Sequence, residues 1–224
     1  MEALKGKIVL ITGAGSETAK TIACNLSDAG ARLILTDINY TSAQQLSNHI
    51  GSKAIAIQHD VTSEYSWLQV LETTSNSFGH LHMLIHCAKV AGCGSLMETP
   101  FSEWQKIQNV HCNGVFLGAK HAIPLFEASG GGLMINDIIS DQLMKNDCSL
   151  TVNQEAVLEL TRSINAYCRE RGSKVYSHTL VCARQHQPKN TQKIAEMLIC
   201  LATRHKENTF GLSFTEAEFD RLNA

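Results

Sequence analysis

Proton transfer to a carbonyl oxygen is within reach of a phenol whose pKa is lowered by an ammonium group one helical turn later. In Leu150-Thr151-Val152-Asn153-Gln154 the end residues have that spacing, and they have neither chemistry. No tyrosine occurs anywhere between Tyr65 and Tyr167. The titratable groups that remain are few. His111 lies on the inner stripe of an apolar-periodic segment, where an imidazole titrates near neutral pH but is more often a hydrogen-bonded core residue. His82 and His86 share one face of a short strand and with His111 would need to converge to hold a metal. Cys87 and Cys112 read as buried thiols, and Lys89 and Lys145 as surface lysines. At the other end of the chain, Thr12-Gly13-Ala14-Gly15-Ser16 directly follows an apolar run, where backbone N–H groups at a helix start can receive a pyrophosphate. Asp37 lies about twenty residues on, where a carboxylate can accept ribose hydroxyls, and Asp60-Val61 follows the third run.

The elements that must position these residues alternate regularly. Ile8-Val9-Leu10-Ile11, Leu33-Ile34-Leu35, Ala54-Ile55-Ala56-Ile57 and Met83-Leu84-Ile85 are continuous apolar runs. Helical segments are expected between them, over 16–29, 41–50 and 63–78. Trp104, Ile107, His111, Val115, Gly118, Ala122 and Leu125 mark one stripe of a long helix. Leu133 to Ile139 forms the next strand, and Ala156, Val157, Leu160, Ile164 and Tyr167 mark a second long helix. A strand near 179–182, a helix over 192–202 and a short strand near 210–214 complete the series. Runs of this kind between helices predict one α/β domain over 1–224, a doubly wound, Rossmann-like parallel sheet covered on both faces.

Composition narrows the function classes. The 224 residues carry 19 basic and 21 acidic side chains without runs, which leaves no footprint for nucleic acid or an anionic membrane. No apolar stretch approaches a membrane span. Met1 to Lys5 lead straight into a strand with no leader pattern, and the eight cysteines form no C-x-x-C pair. The expectation is a soluble cytoplasmic protein with free thiols.

In order and spacing the chain resembles the short-chain dehydrogenase/reductase family. Thr12, Gly13 and Gly15 match the family's T-G-x-x-x-G-x-G, while Glu17 and Ala19 stand where its later glycines belong. The resemblance implies cofactor contacts at Gly13, Gly15, Asp37, Asp60, Val61 and Ala88, with Asp37 favouring NAD over NADP. The family's Asn-Asn-Ala-Gly is reduced to His86-Cys87-Ala88-Lys89. Its catalytic positions fall on His111, Ile139, Leu150 and Gln154, and all four differ from the family's Asn, Ser, Tyr and Lys. Asn113 is no substitute, because two residues along a helix turn about 200° away. Ile139 and Leu150 in those places imply a filled or dried cleft, and side chains at 17 and 19 imply no cofactor or weakly bound NAD(H). Glu17 reads either as a charge against the phosphates or as an anion welcome at a helix start.

The function implied is that of a non-catalytic, structural or regulatory subunit. It pairs with itself or with an active dehydrogenase relative through the helices near 101–127 and 150–171, as family dimers and tetramers do. Two alternatives stay open: an NAD(H)-dependent oxidoreductase of alcohols and ketones that uses His111 as acid/base, and a small-molecule sensor built on the remodelled cleft.

Overall fold

The structure is a computed structural model that describes residues 2–92, 94–140, 148–183, 188–203 and 213–215; side chains at 137–140, 148, 181–183, 188–191 and 213–215 are outside the description. Its sheet has seven strands: β1 (Ile8–Thr12), β2 (Arg32–Asp37), β3 (Ala54–Gln58), β4 (Met83–His86), β5 (Gly132–Ser140), β6 (Val175–Ala183) and β7 (Ser213–Thr215). They lie in the order β3-β2-β1-β4-β5-β6-β7, and every neighbouring pair is parallel. The doubly wound α/β fold expected from the apolar runs is therefore the observed one.

Period-2 alternation divides the core between two faces. Val9, Ile11, Leu33, Leu35, Met83 and Ile85 point to one side, beneath α1 (Glu17–Asp28), α2 (Tyr40–Ile50) and α7 (Pro188–Thr203). Ile8, Leu10, Ile34, Leu84 and Met134 point to the other. There they meet α3 (Glu64–Phe78), α5 (Gly114–Ala128) and α6 (Cys148–Glu170). Both faces are covered, so the strands need no polar alternation, and all five residues of β1 are buried.

The long helix expected through Trp104 and Leu125 is broken in two. A helix α4 (Phe101–Gln108) and α5 are joined by one π-helical turn, Asn109–Asn113. Such a turn widens the coil by one residue and commonly marks a site where a side chain must be re-aimed. His111 lies at its centre. Asn113 is exposed and donates to Asn109 Oδ1 at 2.8 Å, so it faces away from the cleft, as the helical spacing implies. Two strands also differ from the expected bounds. β6 begins at Val175, four residues before Thr179, and β7 begins at Ser213, three after Phe210. Polar Ser177 and His178 hide the first of these starts from a reading based on apolar runs.

Behind β5 and β6 the core is polar and joined by side-chain amides. Asn136 Nδ2 donates to Thr161 Oγ1 at 2.8 Å and to Ser177 Oγ at 3.2 Å. Asn165 pairs through both amide atoms with the Ser177 backbone, at 2.6 and 2.8 Å. Satisfied groups of this kind fix the register of α6 against the sheet. That register brings Leu150, Asn153 and Gln154 to the carboxyl ends of β4 and β5. The strand order reverses between β1 and β4, and ligands of open α/β sheets bind at such a crevice.

Candidate functional site

At the β1 end of the crevice, Thr12 and Gly13 are used by the fold itself. Thr12 Oγ1 accepts the backbone N–H groups of Cys87 and Ala88, both at 3.2 Å, and so ties β1 to the segment leaving β4. Gly13 has φ +65°, and a Cβ there would lie 2.5 Å from Ala88 Cα. Ala88 is thus packed on Gly13, as the spacing of the two motifs implies. Ser16 caps α1 by accepting from Ala19 N at 3.2 Å. Glu17 sits in the first helical turn, where its side chain is 87% exposed and pairs with Lys20 at 2.6 Å. Of the two readings of Glu17, the geometry is that of an anion at a helix start. Ala19 is fully buried in the core beneath α1.

Asp37 ends β2 with one carboxylate oxygen accepting from Gly15 N at 2.9 Å and the other from Asn39 N at 2.8 Å. A carboxylate has about four acceptor sites, so both oxygens retain capacity for hydroxyl donors. Asp60 turns inward on its own loop, accepting from the Thr62 N–H and hydroxyl at 2.9 and 2.7 Å. Val61 is held by its carbonyl, which accepts from Trp67 Nε1 at 2.9 Å, and its side chain packs against Gly114.

At the β4 and β5 end, the π turn and the start of α6 close over the strands. Leu150, Val157, Val110 and Val115 supply apolar walls, and the cavity left between them and His86, Asn136 and Asn153 is about 30 Å³. This is close to the share of one water in the liquid. Leu150 is buried and Gln154 half-buried at its edge. The side chain of Ile139 and residue Lys145 lie outside the described residues. His111 reaches the loop after β4, with Nε2 at 3.2 Å from both the N–H and the carbonyl of Val90. One ring nitrogen satisfies one of the two at a time, so His111 latches that loop to the π turn.

Three other polar atoms here have no hydrogen-bond partner: His86 Nε2, Asn136 Oδ1 and Asn153 Oδ1. All three residues are buried and all three line the cavity. A single water could donate to both amide oxygens and accept from the imidazole. His86 packs so tightly under α5 that a Cβ on Gly118 would lie 2.3 Å from its Cε1. Trp67 lies between it and His59, with ring centroids 5.6 Å from His86 and 4.3 Å from His59. Burial pushes the His86 imidazole down to about 3 and that of His59 down to about 4. The buried His59–Trp67–His86 stack and the inward-facing Asn153 went unnoticed in the sequence. A signal was present: His86 ends β4, His59 directly follows β3, and Trp67 is the only tryptophan of its helix.

His82, His86 and His111 do not converge. His82 is at the opposite end of β4, where its Nδ1 accepts from Ile8 N at 3.1 Å. Among the described residues no cluster of three metal-ligating side chains occurs. Burial raises the Cys112 thiol above its ordinary pKa, contrary to what a nucleophile needs. Cys24, Cys87, Cys112, Cys168 and Cys200 are free thiols.

The family profile described as enoyl-(acyl carrier protein) reductase, a short-chain alcohol dehydrogenase profile, matches residues 13–208. The chain belongs to the short-chain dehydrogenase/reductase family. Over 170 residues it is 26% identical to 3-beta-hydroxysteroid dehydrogenase of Comamonas testosteroni, covering 75% of this chain and 67% of that protein. Over 165 residues it is 32% identical to an uncharacterized oxidoreductase of Thermotoga maritima, covering 71% of this chain and 65% of that one. The matched stretch thus spans about two thirds of the length of these curated relatives. A crystal structure of 3-ketoacyl-(acyl-carrier-protein) reductase from Brucella melitensis, complexed with NADH, superimposes with a TM-score of 0.84 at 19% identity. The superposition covers 96% of this chain and 99% of that one, which establishes the shared short-chain dehydrogenase/reductase fold. No helix among the described residues is long and apolar enough to cross a membrane.

Proposed function

We propose that this short-chain dehydrogenase/reductase is a non-catalytic subunit, structural or regulatory, that pairs with itself or with an active relative. The observation that carries this reading is the water-sized cavity under Leu150, where the family resemblance expects a tyrosine hydroxyl. A buried leucine transfers no proton, and glutamine at 154 supplies no positive charge to lower a neighbour's pKa. The same cavity bears on the cofactor. The ribose end fits NAD(H), because Asp37 keeps free acceptor capacity beside Gly13 and Gly15. At the chemical end, the buried Leu150 and a cavity of only about 30 Å³ support a poor seat for a nicotinamide ring. Gly13, Gly15, Asp37, Asp60, Val61 and Ala88 are accordingly a vestigial or weak site, and no hydride step is derived through it.

The subunit role draws support from the outer face of α5 and α6. Phe116 and Tyr167 are half exposed there and flank a groove of about 440 Å³ with Ile123, Pro124, Leu160 and Ile164. An apolar groove between two helices suits a partner of the same fold, paired about a two-fold axis. The alternative enzyme with His111 as acid is disfavoured by the bond geometry, since the Val90 backbone occupies Nε2.

Size-exclusion chromatography with turnover measured on the same fractions tests the proposal. The purified chain is expected to elute as a dimer or larger and to show no NAD(P)(H)-dependent turnover of alcohols or ketones. Phe116→Glu with Tyr167→Glu is expected to shift it to monomer with an unchanged melting temperature. A monomeric wild type with robust turnover, abolished by His111→Ala, would overturn the reading and promote the enzyme.

A further inference from the structure

A second cavity lies at the opposite end of the sheet, beneath the amino ends of β1, β4, β5 and β6. Its volume is about 370 Å³, within the usual range of small-ligand sites and an order of magnitude larger than the cavity under Leu150. Leu4, Val9, Met83 and Leu133 lie almost fully buried beneath it, and the partly buried Tyr176 and Ala202 supply its apolar wall. The basic groups that line it are Lys7, His82 and Lys174; Tyr176 adds a phenol, and no aspartate or glutamate occurs among the described lining residues.

Each of the three is positioned by the backbone and left with donors to spare. Lys7 immediately precedes β1, and Lys174 immediately precedes β6. Neither forms an ion pair or a side-chain hydrogen bond among the described residues. The Lys174 carbonyl accepts from Gly132 N at 3.1 Å. Gly131, with φ +134°, passes so close that a Cβ would lie 2.7 Å from that same oxygen. The Gly130-Gly131-Gly132 loop, itself part of the cavity lining, therefore fixes where the Lys174 side chain begins.

His82 adds a donor that needs no protonation. Its Nδ1 accepts the Ile8 N–H, which places the ring proton on Nε2. Burial, then Lys7 and His80, hold the imidazole below its ordinary pKa, so the neutral donor tautomer is the one present near neutral pH. The groups that shift the ring are thus themselves cationic or neutral, and among the described residues no carboxylate lines the cavity beside the lysines.

We propose that this cavity binds a small organic oxyanion, with a phosphate or carboxylate head between Lys7, Lys174 and His82 and a short apolar body against Tyr176 and Ala202. Two ammonium groups and a fixed N–H supply charge-assisted hydrogen bonds to the head. The Tyr176 ring and Ala202 supply the apolar area that distinguishes an organic anion from an inorganic one. The site is independent of the carboxyl-end crevice, so it stands or falls apart from the subunit reading.

The test is an NMR titration of the labelled full chain at constant ionic strength with inorganic phosphate, phenyl phosphate and hexanoate. Saturable shifts are expected at the His82 ring and at the Gly131 and Gly132 amides, with the Gly13 and Gly15 amides unmoved. Phenyl phosphate or hexanoate is expected to bind roughly tenfold or more tightly than inorganic phosphate, and the stronger of the two names the head group. Lys7→Gln with Lys174→Gln is expected to weaken binding at least about tenfold while leaving the melting temperature unchanged. Absence of saturable shifts at His82, equal affinity for inorganic phosphate and both organic anions, or unchanged affinity in the double variant would overturn the proposal.

Discussion

Lowering the pH from 7 to 4.5 is expected to remove roughly 2 to 3 kcal/mol of folding stability for each of His59 and His86. Both imidazoles are buried and neutral in the folded chain, with pKa pushed down to about 4 and about 3, in each case first by burial. Asp60 beside His59 opposes that shift, and His59 adds to the shift of His86. In the unfolded chain both titrate near 6.5. Below that value the unfolded state binds the more protons, so stability is full above about pH 6.5 and falls as the pH drops through about 4 for His59 and about 3 for His86. The sum is a large share of the usual 5–15 kcal/mol. Urea unfolding at pH 7, 6, 5 and 4.5 measures it through the midpoint. His59→Gln with His86→Phe is expected to flatten the dependence, and a wild-type midpoint constant over this range would show that the rings are protonated in the folded chain.

Replacing Gly13 by alanine is expected to cost roughly 3 kcal/mol or more with no nucleotide present, about 6–12 °C in melting temperature. Two effects add. Alanine at φ +65° pays for a left-handed backbone, and its Cβ would meet Ala88 Cα at 2.5 Å and Cys87 O at 2.7 Å. These are backbone atoms that cannot turn aside. Moving them loosens the two N–H bonds to Thr12 Oγ1. Gly15→Ala provides the contrast. Its Cβ would meet the side chains of Ser42 at 2.9 Å and Asp37 at 3.1 Å, and a loss of roughly 1 kcal/mol or less is expected. Thermal melts of the two variants check the order. A Gly13→Ala chain as stable as wild type would mean that the glycine is kept for a ligand and not for the meeting of β1 and β4.

This distinction bears on what was legible in the sequence. The parallel sheet could be read because β1, β2 and β4 are apolar on both faces and leave period-2 polarity nowhere to appear. The start of β6 is hidden because Ser177 and His178 are buried polar residues, and the partners of Ser177, Asn165 and Asn136, come from other elements. The Thr12-Gly13 motif was visible, but its use in bracing Cys87 and Ala88 is a contact across 75 residues and more, which no local pattern records. The break between α4 and α5 was hidden as well, since the stripe of apolar residues runs through the π turn without a proline or glycine until Gly114. At the chemical end Leu150 and Gln154 were visible as residues with neither a phenol nor an ammonium. Their place over β4 and β5 depends on how α6 registers against the sheet through Thr161 and Asn165, which is a property of packing.

The proposed non-catalytic role implies a cleft that keeps its ribose end and seats a nicotinamide poorly. Parallel calorimetric titration of the purified chain with NADH and with ADP-ribose compares the two ends directly. The closed cavity predicts that NADH binds no more tightly than ADP-ribose, with both weak or silent. NADH binding more than about tenfold tighter than ADP-ribose would mean that the nicotinamide has its own pocket, and would contradict the account.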